Sequence, residues 1–266
     1  QRVGLLFFVG IYFVLTTLVT LHMWHHERLL YFQESAAGCY GALTYLASKL
    51  FFDVVPLRLL PALLAAAIVY PMSGLRHDAP DWSLPTSRWP GPTAAGMFVV
   101  GLCLVNIVAA TMSSALGIVC RSSGVAVMLA TLLTLFTMLF SGLLVNPAAM
   151  IAHAPPWLRP LAELLPACSF MYFFIEMVLF NELHDQTIFI DRPQDAAVTA
   201  LGYDILYQLG YANQSRYWLP GHGAGALCWL DMPCVGVHDL RVLAIWAVAG
   251  VLSCFLLLRF CVRDPH

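Results

Sequence analysis

Long apolar stretches divide the chain, and the charged residues are concentrated in the segments between them. Residues 89–158 contain a single formal charge, Arg121. The apolar stretches 89–120 and 122–158 on its two sides each exceed the about 20 residues that a helix needs to cross a bilayer. The pattern therefore predicts two spanning helices joined by a tight turn at residues 120–123.

The same reasoning applied to the whole chain predicts five spanning helices, at about residues 3–21, 46–73, 94–119, 124–145 and 240–258. Residues 25–45 mix charged and apolar positions, which favours a short amphipathic helix on the membrane surface. Prolines interrupt residues 147–182 and leave apolar runs that are too short to span, so short re-entrant helices are predicted there. Residues 183–238 form a long polar loop.

The composition agrees with a membrane protein and excludes several other classes. Hydrophobic residues make up 60% of the chain and charged residues 11%, whereas a soluble domain carries about 25% charged residues. The net charge is -2 and Lys49 is the sole lysine, so a nucleic-acid partner is not expected. We expect residues 1–266 to form a single all-α, polytopic, multi-pass membrane domain.

The long polar loop indicates how the chain is oriented. It contains a possible glycosylation site at Asn213 and two cysteines, Cys228 and Cys234, that are candidates for a disulfide within or between chains. Both modifications belong outside the cell. The loop at 183–238 is therefore expected to be extracellular, which places the 25–45 segment in the cytoplasm.

A histidine cluster supports an alternative function. His22, His25 and His26 have the helical spacing of metal ligands, which suggests an intramembrane metal- or haem-dependent enzyme. Such a site needs further ligands from another span, and His77 and His153 lie in loops assigned to the other side of the membrane. We therefore predict that this chain has no metal site and no catalytic residue.

A series of short motifs resembles the membrane domain of G-subfamily ATP-binding cassette transporters, the White and breast-cancer-resistance-protein type. In order they are Glu27-Arg28, ESAAGCY at 34–40, Tyr45 and Lys49, DVVPLRLLP at 53–61, IVYPMSGL at 68–75 and FSGLLVN at 140–146. The motifs occur in the family's order, and with the matching order of spans the resemblance covers nearly the whole chain.

The resemblance implies an ABC-2 type fold with six membrane helices, of which this chain would hold the second to the sixth. The first helix and the nucleotide-binding domain, with its ATP and Mg²⁺, would lie outside these residues. A phosphate-binding Gly-x-x-x-x-Gly-Lys-Ser/Thr motif does not occur in the sequence, so we expect no cofactor on this chain. The family works as homodimers or heterodimers of half-transporters.

The resemblance also implies a coupling helix. Residues 25–45 would rest on the nucleotide-binding domain, and Glu27, Arg28 and Glu34 would form the ion pairs that transmit its motion. A solvated interfacial helix without a partner is the alternative interpretation.

Leu143 and Leu144 match a position where paired leucines of two subunits close the translocation path. An apolar constriction resists the passage of water and ions. The alternative is that both are ordinary lipid-facing leucines.

A substrate cavity would be lined by the first span and the span at 124–145. Three-to-four-residue spacing places each group of candidates on one helix face; the candidates are Phe8, Tyr12 and Leu15 on one helix and Thr131, Leu135 and Met138 on the other. The alternative for such apolar stripes is simple packing.

Three charged residues lie within predicted apolar segments, where charge is costly and is a functional candidate by default. They are Asp53, Arg58 and Glu176. We expect a structural role for Arg58 and a place in the outer vestibule for Glu176. The predicted function is export of a lipophilic or amphipathic substrate, such as a lipid, sterol, pigment precursor or xenobiotic. We expect it at the plasma membrane, with an intracellular membrane as the alternative.

Overall fold

The protein is described by a computed structural model that covers residues 2–75, 94–120, 122–183, 187–190, 198–201, 206, 208–211 and 234–261. Its elements are α1 (Arg2–Ala36), α2 (Ala42–Lys49), a π-helical turn (Leu50–Val54), α3 (Val55–Met72), α4 (Ala94–Val119), α5 (Ser123–Leu139), α6 (Pro147–His153), α7 (Arg159–Ala167), α8 (Phe170–Leu183), strands β1 (Thr187–Ile190) and β2 (Val198–Leu201), and α9 (Cys234–Cys261). The strands form an antiparallel hairpin in which Thr187 pairs with Leu201.

Within the part of the chain that the structure describes, four helical regions are long and apolar enough to cross a membrane: Arg2–Val19, Ala42–Met72, Ala95–Val119 and Asp239–Phe260. α7 and α8 pass the same test as a pair, bent by 72°, and α5 is a shorter apolar helix of 17 residues. The predicted all-α polytopic fold is confirmed, with short bent helices in the proline-rich segment.

α1 differs from the prediction at its C-terminal part. We expected the first span to end near residue 21 and a separate amphipathic helix to follow within 25–45, but one helix continues to Ala36. The sequence contains neither glycine nor proline between Gly10 and Gly38, so nothing in the backbone interrupts the helix. A turn with Gly38 at φ +76° then leads into α2.

α5 is shorter than the predicted span at 124–145. It ends at Leu139, and Gly142 adopts a left-handed conformation at φ +94°, which glycine tolerates without steric cost. Asn146 then caps α6 and Pro147 occupies its first turn, as is typical of helix starts. Residues 140–146 therefore form a turn between two helices, which we call the α5–α6 turn.

α4 is the central helix of the bundle and packs against α1, α3, α8 and α9. Small residues permit this close approach. A side chain at Gly101 would meet Met177 of α8, and a Cβ at Gly250 of α9 would lie 2.8 Å from the Cβ of Thr111. The core is thus assembled around glycines at the helix crossings.

Polar groups inside the bundle are joined by hydrogen bonds between helices. The hydroxyls of Thr17 on α1 and Ser113 on α4 are 3.1 Å apart. Asn106 Nδ2 donates to the carbonyl of Arg58 at 2.9 Å, in the turn of α3 that precedes Pro61. Side chains of neighbouring helices commonly satisfy backbone groups close to a proline in a membrane helix.

Gly250→Val is expected to destabilise the bundle by about 1–3 kcal/mol, the usual cost of overpacking. The new side chain would collide with the stem of Thr111, whose Cβ cannot move without its helix. Gly4→Val is the matched control, because a Cβ at Gly4 meets nothing within 4 Å. Thermal unfolding in detergent measures both variants, and equal midpoints would contradict the packing assigned to this crossing.

Candidate functional site

α1 presents an exposed apolar stripe that contains all three of its candidate cavity residues. Phe8 is 71% exposed, and Tyr12 and Leu15 are exposed on the same side of the helix. The opposite side carries buried residues that pack into the core, including Leu6, Phe13, Val14 and Leu21. Large apolar side chains along one open helix face are available for contact with lipid, substrate or another subunit.

The three candidates on α5 are less uniform. Leu135 is exposed, whereas Thr131 and Met138 are partly buried. The Thr131 hydroxyl donates to the carbonyls of Val127 and Met128, and Met138 packs against the core. The structure therefore leaves Leu135 as the most accessible of the three.

α1 and α5 are neighbours, because Leu18 and Leu21 of α1 pack with Ala126 and Ala130 of α5. A cleft of about 10 Å³, room for about one water molecule, lies between these two helices, α4 and Phe170 of α8. Pockets for drug-sized ligands usually measure about 300–1,000 Å³. A substrate of that size therefore needs space beyond this cleft.

The cleft carries hydroxyl groups in otherwise apolar walls. Thr17, Ser113 and Thr134 all line it. Thr17 donates to the carbonyl of Val14 and Thr134 to that of Ala130 at 2.8 Å. The Ser113 hydroxyl has two partners within reach, the Ala109 carbonyl at 2.9 Å and the Thr17 hydroxyl at 3.1 Å. Since these hydroxyls are engaged with one another or with their own helices, the cleft offers a mainly apolar surface.

The α5–α6 turn holds both candidate gate residues outside the helices. Leu144 is 60% exposed and Leu143 is partly buried. Asn146 Oδ1 accepts from the backbone N–H groups of Ala148 and Ala149 at 3.0 and 3.2 Å, which caps α6. The turn thus presents an apolar side chain from a backbone anchored at its C-terminal end.

Residues 208–211, which follow the hairpin in sequence, pack against this turn. Asn146 Nδ2 donates to the carbonyl of Gln208 at 2.8 Å. The hydroxyl of Tyr211 donates to the carbonyl of Ser141, also at 2.8 Å. The loop and the turn are therefore joined by two hydrogen bonds that connect positions about 60 to 70 residues apart in sequence.

The C-terminal end of α1, called its far end below, contacts the turn and the helix α2 that follow it through charged and aromatic side chains. Glu27 forms a salt bridge with Lys49, and the hydroxyl of Tyr40 donates to Glu34. That hydrogen bond, with burial and the carboxylate charge, raises the pKa of Tyr40 to about 12. Both acidic coupling candidates are thus engaged by the segment that follows α1.

Three tyrosine rings form a cluster at the same place. The centroid of the Tyr31 ring lies 4.5 Å from that of Tyr45 and 6.1 Å from that of Tyr40. The rings of Tyr40 and Tyr45 are stacked with their centroids 6.0 Å apart. Such ring contacts add to the stabilisation from burial alone. They hold the end of α1 and the start of α2 as one unit.

The charged candidates within apolar segments are buried where they are described. Arg58 on α3 is 7% exposed, and Glu176 on α8 is 1% exposed. Glu176 therefore does not line an open vestibule of this chain as expected, because α8 is enclosed on nearly all sides. The side chain of Asp53 lies outside the described residues.

Several predicted sites cannot be located in the structure. Asn213 and Cys228 lie outside the described residues, and Cys234 begins α9 with no described side chain. The side chains of Arg28 and of the histidine cluster (His22, His25, His26) are likewise outside them. Among the side chains that are described, no three metal-ligating residues come together.

Sequence reasoning missed the contacts that hold the C-terminal end of α1 and those that hold the α5–α6 turn. Asn146 before Pro147 is a recognisable helix-start signal, but its bond to Gln208 is not readable from the sequence. Tyr211 lies in a polar loop 70 residues from Ser141, and no local pattern links the two.

Comparison with known proteins identifies the family. The ABC-2 type transporter family matches residues 1–183. Over 99% of its length the chain is 26% identical to "ABC transporter G family member 24" of Dictyostelium discoideum and, separately, 26% identical to a "Probable ATP-dependent permease" of Saccharomyces cerevisiae. It covers 19% and 21% of those two proteins.

A mammalian relative gives the same result over a shorter region. The chain is 30% identical over 160 residues, 59% of its length, to the "Broad substrate specificity ATP-binding cassette transporter ABCG2" of Rattus norvegicus, of which it covers 22%. The chain thus spans about a fifth of the length of these relatives. A bundle of apolar helices around a glycine-lined central helix, together with these matches, makes the chain a multi-pass membrane domain that belongs to the ABC-2 type transporter family.

Proposed function

We propose that this chain forms the membrane-spanning part of an ATP-driven exporter of lipophilic or amphipathic substrates and that it works as a dimer. The observation that carries the proposal is the exposed apolar stripe of α1, which contains Phe8, Tyr12 and Leu15, in a chain of the ABC-2 family. A second subunit placed against this stripe and against α5 would enclose an apolar slot.

The size of the cleft within one chain supports the dimer. At about 10 Å³ this cleft is far too small for a sterol or a drug-sized xenobiotic. A cavity between two subunits removes this limit. The apolar lining, with the hydroxyl of Tyr12 as a polar group, suits a lipid, sterol, pigment precursor or xenobiotic, and the partner is a second copy or a related half-transporter.

The energy source lies outside residues 1–266 in this proposal. The sequence contains no phosphate-binding loop, while the names of its relatives refer to ATP. ATP and Mg²⁺ would bind in a nucleotide-binding domain that contacts the far end of α1, where Glu27, Arg28 and Glu34 lie. We assign the assembly to the plasma membrane, with the α5–α6 turn towards the outside.

Phe8→Ala is expected to weaken the stimulation of ATP hydrolysis by a lipophilic substrate, because it removes an exposed ring from the slot. We expect the substrate concentration for half-maximal stimulation to rise by about threefold to tenfold, the effect of a partly buried apolar contact. The assay uses the intact transporter in lipid nanodiscs.

Phe260→Ala is the control for this measurement. Phe260 is a similarly exposed phenylalanine, 61% against 71%, but it lies at the end of α9. If both variants shift the substrate dependence equally, the stripe of α1 has no special part in substrate binding.

Replacement of Leu143 and Leu144 together by alanine is expected to change the rate of transport-coupled ATP hydrolysis without preventing dimer assembly. The substitution widens an apolar constriction and leaves the capped start of α6 intact. Leu132 and Leu133, an adjacent leucine pair on α5, provide the matched double-alanine control. Unchanged turnover in the first variant would reject the gate.

Glu34→Ala is expected to uncouple ATP hydrolysis from transport, so that hydrolysis continues while substrate movement falls. Tyr40→Phe removes the hydrogen bond to Glu34 but keeps the carboxylate. It therefore shows whether the effect of Glu34→Ala comes from the lost carboxylate or from the lost bond to Tyr40. Glu163→Ala, at an exposed position on α7, is the control. A normal ratio of transport to hydrolysis in Glu34→Ala would refute the coupling role.

A further inference from the structure

The side chain of Tyr211 contacts both the α5–α6 turn and the core of the bundle. Tyr211 is 3% exposed although it belongs to a polar loop. Its hydroxyl donates to the carbonyl of Ser141, and its ring lies 5.6 Å from that of Tyr172 on α8. A loop residue is therefore inserted between the turn and the core.

The hydrogen bond satisfies the backbone at a place where a helix has ended. Ser141 lies beyond Leu139, the last residue of α5, and carbonyls at a helix C-terminus depend on donors from outside the helix. In an apolar environment an unmade hydrogen bond is costly. The Tyr211 hydroxyl thus stabilises this arrangement of the turn over others.

Glycine at position 142 makes the contact possible. A Cβ on Gly142 would lie 2.7 Å from the Tyr211 ring, and the residue is already at φ +94°. The ring therefore rests directly on the backbone of the turn. The next two residues are the candidate gate, Leu143 and Leu144.

We propose that Tyr211 is a positioning residue that holds the α5–α6 turn, and with it Leu143 and Leu144, in the closed arrangement of the gate. This inference rests on the gate described under the proposed function. Because only Gly142 separates Ser141 from Leu143, a movement of Leu143 and Leu144 away from a second subunit would displace the bonded carbonyl in this proposal. Opening therefore requires the Tyr211 bond to break.

The second connection between the loop and the turn has a different role. Asn146 uses its Oδ1 to cap α6 and its Nδ2 to reach Gln208. It anchors the end of the turn that belongs to α6. Tyr211 contacts the opposite end, at Ser141 and Gly142, directly before the gate residues.

The test measures access to the gate from outside in the intact, lipid-embedded transporter. A Leu144→Cys reporter is labelled with a charged, membrane-impermeant methanethiosulfonate, and the signal of the same protein without the reporter is subtracted because the chain contains other cysteines. Tyr211→Phe in the reporter background removes the hydroxyl and keeps the ring. We expect labelling to accelerate by about threefold to tenfold, the effect of one lost hydrogen bond.

Tyr70→Phe is the matched control, since it removes the hydroxyl of another buried tyrosine, on α3 and packed against Phe98. Its labelling rate should equal that of the parent. Gly142→Ala is the second variant and is used if Tyr211→Phe does not accumulate. Its methyl group would displace the Tyr211 ring from the turn. It should also accelerate labelling.

The outcomes distinguish this inference from the proposed function. If the labelling rate is unchanged in Tyr211→Phe, or in Gly142→Ala where the first variant is not obtained, Tyr211 does not hold the gate. The gate itself still stands in that case if the double alanine variant of Leu143 and Leu144 alters transport. Equal acceleration in Tyr70→Phe would show a general loosening of the bundle and would also overturn the assignment.

Discussion

The close approach of neighbouring helices to α4 is the packing constraint on which the bundle depends. Membrane helices gain little from burying apolar surface among themselves and associate through close contact and hydrogen bonds. Here the contact is made at Gly101 and Gly250, and the hydrogen bonds run from Ser113 to α1 and from Asn106 to α3. Because α1 is fixed on α4 by its buried side, its stripe of large apolar side chains must face away from the core.

The positions of the spans follow from the hydrophobic pattern, and the structure confirms them closely for α4, where the predicted 94–119 matches Ala94–Val119. Helix ends were harder to predict. The end of α5 lies next to Gly142, which has a left-handed backbone and leaves room for the Tyr211 ring against it. The continuation of α1 was missed because charged residues near Glu27 resemble a surface helix, although the backbone contains no signal for a break there.

The candidate residues near the two ends of α1 were not equally predictable from the sequence. The spacing of Phe8, Tyr12 and Leu15 placed them on one helix face, and they share an exposed face in the structure. The anchoring of Glu27 and Glu34 was not predictable, because it depends on Lys49 and Tyr40, which are brought near them only after the turn at Gly38 reverses the chain. Contacts that depend on such reversals cannot be derived from helical periodicity, since they join residues of different elements.

The continuity of α1 has a mechanical consequence. Its 35 residues, at about 1.5 Å each, make a rod about 50 Å long. If this rod pivots near its midpoint by about 5°, each tip travels about 2 Å, which is comparable to the about 1–2 Å helix shifts that accompany switching in other proteins. Phe8 and Glu34 lie on opposite sides of that midpoint. Since the helix between them is unbroken, a displacement of the end that carries Glu34 would move the end that carries Phe8 in the opposite direction.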